Sequence, residues 1–182
     1  MPVPADVFKA GMRHFPAAVN IITCAHEGIA RGLTATAVCS LCTDPIPSLL
    51  ACVNRGNSTY RFLRKSRAFA VNVLSAEHRE IAKLFASQRP EDRAETLRSV
   101  GWSSLISGAP ILDGAIVAFD CELARELEHG THSILVGTVV DIRIAAGAAH
   151  LLYVDGAFAE INPPGDRHCS SRHYAHAVET HS

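Results

Sequence analysis

The chain has 182 residues, with 17 Lys and Arg against 18 Asp and Glu (formal net charge −1), 48% hydrophobic and 19% charged. That size and mix suit a globular domain with a substantial core and exclude a disordered polymer. The near-neutral balance excludes a bulk pull toward nucleic acid or anionic lipid, and no apolar run reaches the roughly 20 residues of a membrane helix.

The first residues, Met1 to Asp6, lack the basic-then-apolar pattern of a secretory leader, so a cytoplasmic setting with reduced thiols is expected. Asp6 is placed to cap a helix over Val7 to His14 that ends before Pro16. Ala18 to Ala25 reads as a strand, and Glu27-Gly28 as a turn. The stretch Gly32 to Ser40 then reads as one more strand, clad only in small hydroxyls and methyls. Such a strand would let a flat ligand lie close to its backbone, although close packing under a helix would suit it equally.

Asp44-Pro45-Ile46-Pro47 breaks the chain before a short buried strand, Ser48 to Asn54. Asn57 or Ser58 caps a helix running to Lys65, and Ala68 to Leu74 returns as a strand. Ser75 caps a second helix whose Ile81, Leu84 and Phe85 form a core-facing stripe. Gln88 to Pro110 reads as a long polar connection, with the single Trp102 as its anchor.

In Ala115 to Glu128, Val117, Phe119, Cys121, Leu123 and Leu127 share one parity, and Asp120, Glu122, Glu126 and Glu128 the other. This predicts a half-buried antiparallel strand. A turn at 129–132 leads to Ser133–Ala145, with Ile134, Val136, Val140, Ile142 and Ile144 in alternation. Two shorter strands, Leu151 to Val154 and Ala157 to Ile161, flank Asp155-Gly156. Seven to nine strands with few helices predict a mostly β fold, a closed or half-open barrel over residues 1–161. A polar tail, 162–182, carries His168, His173, His176 and His181 without a compact ligand set.

Five of the six cysteines (Cys24, Cys39, Cys42, Cys52, Cys121 and Cys169) fall in or beside apolar strands, as small hydrophobes do. Cys39 and Cys42 are three apart on a strand and point to opposite faces, which argues against a shared metal. The chain lacks a Ser-His-Asp order, a P-loop and a G-x-G-x-x-G after a strand. What recurs is small polar residues at strand ends: Thr34, Thr36, Ser40, Asn54, Asn57, Ser58 and Ser87. Asn54-Arg55-Gly56-Asn57-Ser58-Thr59 offers an anion site at a helix N-terminus, and equally an ordinary cap. Asn72, inside an apolar strand, needs partners for its amide if buried, and could simply tie a neighbouring backbone.

AAVNIIT (17–23), TATAVCS (34–40), TDPIPSLLACVNR (43–55), FAVNVL (69–74), FAS (85–87) and GTHSILVG (130–137) together resemble the flavin reductase-like FMN-binding split-barrel family. The likeness is nearest to the branches holding the reductase component of 4-hydroxyphenylacetate 3-monooxygenase and the pyrimidine-utilisation flavin reductase.

The resemblance implies a homodimeric split β-barrel that binds FMN or FAD, oxidises NADH or NADPH and passes reduced flavin to a flavin-dependent monooxygenase. Thr34, Ala35, Thr36, Ala37 and Val38 would then run along the isoalloxazine, continued by Cys39 and Ser40. Asn54, Arg55, Asn57 and Ser58 would hold the ribityl and phosphate end. Asn72, Phe85, Ala86, Ser87 and Tyr153 would frame the rest. His132, with Thr36, would serve the reaction near the nicotinamide. Two other activities fit the same fold: a reductase of a bound acceptor such as a cob(II) corrinoid, and a flavin-binding module without turnover. A pyridoxamine-phosphate-oxidase-like or haem-binding barrel is a further alternative.

Overall fold

The computed structural model describes residues 1–87, 97, 100–145 and 148–163. Most of the polar connection between 88 and 99, and the tail from 164 with its histidines and Cys169, lie outside them.

Helix α1 spans Ala5–Arg13 and follows Pro4, whose φ of −56° already suits a helix start. Asp6 therefore sits in the first turn, where the helix dipole favours its charge, and does not cap the helix. The chain then forms β1 (Ala17–Ala18), β2 (Asn20–His26), β3 (Ile29–Ala35), β4 (Val38–Cys42) and β5 (Ser48–Asn54). Helix α2 (Ser58–Ser66) is capped by Asn57, whose side chain accepts from Thr59 N at 2.9 Å. After β6 (Ala68–Val73), a 3-10 turn leads into α3 (Arg79–Ala86). The remaining strands are β7 (Trp102–Ser104), β8 (Pro110–Leu112), β9 (Val117–His129), β10 (His132–Ile144), β11 (His150–Val154) and β12 (Ala157–Ile161). The described strands number twelve, more than expected, because β1, β7 and β8 are only two or three residues long. The last two make a hairpin within the stretch read as a polar connection.

Seven strands build one antiparallel sheet in the order β3-β2-β6-β9-β10-β5-β4. Its two edges, β3 and β4, are separated in sequence only by Thr36 and Ala37. Gly32–Ser40 is therefore not one strand. Its first half pairs with β2 and its second with β5, and these lie far apart in the sheet. Two residues can join such edges only if the sheet curls into a barrel. The join is fastened by Ala37 O, which accepts from Cys52 N at 2.9 Å, and by Asn20 Nδ2, which donates to Ala35 O at 3.2 Å.

The barrel interior holds Ile22, Cys24, Leu33, Leu49, Val53, Phe69, Val71 and Leu135, with Tyr60 and Leu63 of α2 closing one end. A second cluster, containing Ile21, Leu74, Phe85 and Leu151, lies between the barrel wall and α3 and β11. Phe85 is buried as expected, whereas Leu84 of the same stripe is 41% exposed.

Two expectations for the long hairpin fail for one reason. Arg125 faces Val136 while Leu123 faces Gly137, so Ala124 is an extra residue that swaps the faces of β9. Leu127 accordingly lies outside, 58% exposed, and Glu126 turns inward beside Leu135. Asp120 departs from the polar-outside pattern too. It is fully buried under the 105–109 loop, accepting from Ser107 N at 2.7 Å and from the Ser107 hydroxyl. In β10 the buried residues are Ser133, Leu135 and Gly137, while the predicted core face from Ile134 to Ile144 is half-buried or exposed.

That outer face is continuous across three strands. Ile134 pairs with Cys52, Val136 with Leu50, and Leu50 with Cys39. Its Cys39, Leu50 and Cys52 lie across a cleft from α1 and Tyr153.

Candidate functional site

The site is assembled around β3. Thr59 Oγ1, in the first turn of α2, donates to Gly32 O at 2.9 Å. Thr34 Oγ1 donates to Ala82 O of α3 at 2.7 Å. The Phe85 ring sits so close to Gly32 that a β-carbon there would fall 2.6 Å from Phe85 Cε1. One short strand thus gathers the start of α2, with Asn57 and Ser58, and the end of α3, with Phe85, Ala86 and Ser87. These segments are separate in sequence and adjacent here.

Beyond β3 the chain emerges at Thr36–Ala37, where the small side chains expected of a ligand wall are solvent-facing at Ala37. Thr36, Ala37, Val38, Cys39, Leu50 and Cys52 border a cleft of about 1070 Å³. Its opposite wall is Phe8 and Met12 of α1, Phe15 and Tyr153. Helix α1 buries no residue, and it is held by the 155–156 turn: Asp155 N donates to Arg13 O at 2.6 Å, and His14 Nδ1 lies 2.6 Å from Asp155 Oδ1. The Tyr153 ring packs edge-on against Phe158 with centroids 5.5 Å apart.

A second cleft, of about 830 Å³, opens where β5 runs into α2. Asn54, Arg55, Gly56, Tyr60, Arg61, Arg64, Lys65, Gly130 and Thr131 line it. Asn54 lies directly opposite His132 in the sheet. Its Oδ1 accepts from Gly56 N at 2.8 Å and shapes the turn. His132 is exposed, with Nδ1 2.9 Å from Thr131 Oγ1.

Not every expected residue reaches a cleft. Asn72 is fully buried, and both ends of its amide are occupied by protein. Its Nδ2 donates to Ile21 O (3.1 Å) and Thr23 Oγ1 (3.2 Å), and its Oδ1 accepts from Leu112 N (2.8 Å). It ties β6 to β2 and β8 and does not frame the pocket. Ala35 packs inside the barrel, and the Thr34 hydroxyl is turned to α3. Phe85 contributes its ring to the core. Ser40 borders a third cavity, of about 590 Å³, with Val38, Cys39 and Asn20. Arg55 engages protein: Nη2 is 2.9 Å from Glu128 Oε2, Nη1 donates to Gly130 O at 3.2 Å, and its N–H donates to Thr131 O at 2.9 Å. It fastens the turn that carries His132.

Sequence reading missed a polar hub behind that turn. Glu126 accepts hydrogen bonds from the Tyr60 hydroxyl and from Ser133 Oγ (2.8 Å), and Arg64 Nε lies 3.2 Å from its other oxygen. Burial alone would raise the Glu126 carboxyl, but the bonds from Tyr60 and Ser133 and the charges of Arg64 and Arg55 hold it below the usual carboxylate range. The alternating pattern had placed Glu126 among solvent-facing acids, and only the bulge at Ala124 turns it inward. The buried thiols Cys24 and Cys121 are pushed by burial up to about 12, so neither is a nucleophile. No group of metal-ligating side chains occurs among the described residues, and no described helix is long and apolar enough to cross a membrane.

Comparisons with known proteins place this fold in a family. The chain is 38% identical over 146 residues to the FMN reductase (NADH) RutF of Agrobacterium fabrum, covering 80% of this chain and 82% of that protein. The solved structure of BorF, the flavin reductase component of a bacterial two-component tryptophan halogenase, superposes with a TM-score of 0.80 at 28% identity. The match covers 88% of this chain and all of that one. The Streptomyces globisporus NADH:FAD oxidoreductase SgcE6, solved with NAD and FAD fragments, also gives 0.80 at 28% identity, over 91% and 99% of the two chains. The family model described as the flavin reductase like domain matches residues 12–162, and the chain belongs to that family.

Proposed function

We propose that this protein is an NAD(P)H:flavin oxidoreductase in which the Thr36–Cys39 segment forms the wall of the flavin site. The observation that carries the reading is the passage of the chain between the two sheet edges at Thr36–Ala37. It lays small residues along a cleft, just past the strand whose Gly32 and Thr34 are bonded to α2 and α3. The residues suit FMN or FAD. From Thr36 to Cys39 no side chain is larger than valine, and the cleft's roughly 1070 Å³ is ample beside the ~300–1,000 Å³ of usual ligand pockets.

Thr36 through Cys39 would hold the ring, and Asn57, Ser58 and Ser87 the polar chain, with Ala86 between them. A bound flavin supplies a ring that accepts the equivalent of a hydride from NADH or NADPH, so no strong acid or base is required of the protein. The protein's part is orientation. His132, steadied by Thr131 and by the Arg55 clamp on its turn, positions the nicotinamide, and Thr36 offers a hydroxyl to the ring.

The apolar outer face of β4, β5 and β10, which borders the cleft, fits a second copy of the chain that would complete the site as a homodimer. Reduced flavin would pass to a separate monooxygenase in the cytoplasm; the kinship with BorF, a component of a two-component halogenase, supports such a partner.

The test is anaerobic mixing of the purified protein with NADH or NADPH and either FMN or FAD. Nicotinamide oxidation should match flavin bleaching, and His132→Ala should bind flavin yet reduce it more slowly. Failure of every nicotinamide and flavin pair to react overturns the reading.

A further inference from the structure

The second cleft has a charge pattern that fastening the hairpin does not account for. Among the described residues, four cations line it (Arg55, Arg61, Arg64 and Lys65) and no carboxylate does. Arg55 is matched by Glu128 and Arg64 by Glu126. Arg61 and Lys65 make no ion pair or side-chain hydrogen bond with the described residues, and both are exposed. They stand four apart on α2, with Arg64 between them, on one helix face where like charges repel. The helix dipole favours Arg64 and Lys65 in the last turn but offers nothing to Arg61 in the middle. A bound anion would relieve this repulsion. The cleft also shares Asn54 and Arg55 with the turn that enters α2, whose first residues are assigned above to the flavin's polar chain. An anion seated here therefore lies outward of that chain, further along the same molecule or its reaction partner.

We infer that this cleft is the subsite for a phosphate on the adenosine half of a dinucleotide, with Arg61 and Lys65 as its specificity-determining cations. The inference rests on the flavin reading above. Two dinucleotides carry the required chemistry: FAD, through the phosphate that FMN lacks, and NADPH, through the 2′-phosphate that NADH lacks. Arginine suits such a group because its planar fork can give two parallel hydrogen bonds to phosphate oxygens, while lysine adds a mobile point charge.

The experiment compares the unaltered protein with the Arg61→Ser/Lys65→Ser double variant, checked by circular dichroism for an unchanged fold. Dissociation constants for FAD and FMN are measured by fluorescence, and kcat/KM for NADPH and NADH by absorbance. Exposed cation–phosphate contacts are worth a few-fold each, so one preference ratio should fall by roughly tenfold in the variant. A fall in the FAD-to-FMN affinity ratio assigns the flavin dinucleotide, and a fall in the NADPH-to-NADH ratio assigns the pyridine dinucleotide. The preference that falls should also weaken with added salt in the unaltered protein. If neither ratio moves, or if both members of each pair weaken equally, the inference is overturned. An unaltered protein that binds no flavin would instead remove the parent reading.

Discussion

Replacing Gly32 by alanine places a methyl group where the Phe85 ring already lies. The added carbon would stand 2.6 Å from Cε1 and 3.0 Å from Cδ1 of that ring, against an ordinary carbon–carbon contact of about 3.5–4.0 Å. The ring has little room to retreat: Phe85 is 1% exposed and meets Trp102 edge-on, with centroids 6.1 Å apart. Overpacking of this kind costs about 1–3 kcal/mol. Stiffening the unfolded chain returns roughly 0.4–1 kcal/mol, which at the middle of both ranges leaves a net loss of roughly 1.3 kcal/mol. For a domain of this size that corresponds to a melting temperature lower by about 3–5 °C. Thermal unfolding followed by circular dichroism measures it. The fluorescence of Trp102, the only tryptophan, should shift in the folded variant as its neighbour moves. FMN affinity should weaken as well, because the 85–87 turn is displaced from β3. A melting temperature that is unchanged or higher would refute the argument, since Phe85 could then not be seated on Gly32.

Two further outcomes are expected. The folded-state pKa of Glu126 lies below its unfolded value of about 4.5, so the unfolded chain binds more protons between the two values. Its stabilising contribution is therefore full above that unfolded value and is lost as pH falls through the folded one. Glu126→Gln should flatten the acid limb of a plot of urea midpoint against pH, and parallel curves for the two proteins would count against the hub. Leu50→Glu puts a charge at the centre of the outer apolar face, between Cys39 and Val136. Sedimentation velocity should then show a monomer with weakened flavin binding, because an unpaired charge cannot be buried cheaply; a dimer that persists would take this face out of the assembly.

Local chemistry was readable wherever a decision was local. Asn57 reads as a cap because its side chain needs only Thr59 two residues on, and Ser48–Asn54 reads as a strand because turn signals bound it on both sides. The break at Thr36–Ala37 was not readable, because nothing within TATAVCS tells which distant strand each half will pair with. Parity misled in β9 for a related reason: one bulged alanine reverses every face after it, and Ala124 carries no mark of the bulge. In β10 alternation pointed to the more apolar face, Ile134 to Ile144, whereas the barrel encloses the smaller side chains of the other, Ser133, Leu135 and Gly137. At the site, only part of TATAVCS reaches a cleft. Thr36 and Ala37 reach the cleft, whereas Ala35 is enclosed in the barrel and Thr34 is bonded to α3. The resemblance put Asn72 at the pocket, whereas its place in an apolar strand said only that its amide demands partners. That demand was met by β2 and β8.

The two-residue passage between β3 and β4 also bears on when the site comes into being. Contacts between neighbours in sequence ordinarily form early, since little chain entropy is lost in making them. Thr36 and Ala37 are an exception: each adjoins a strand whose partners occupy the opposite end of a seven-strand order. Their geometry depends on pairings such as β6 with β9 and β5 with β10, which span much of the chain. The cleft is thus a late product of folding, absent from any intermediate whose sheet is still open. Recovery of flavin binding during refolding should lag behind recovery of strand signal, and the bound flavin would act as a gauge of barrel closure.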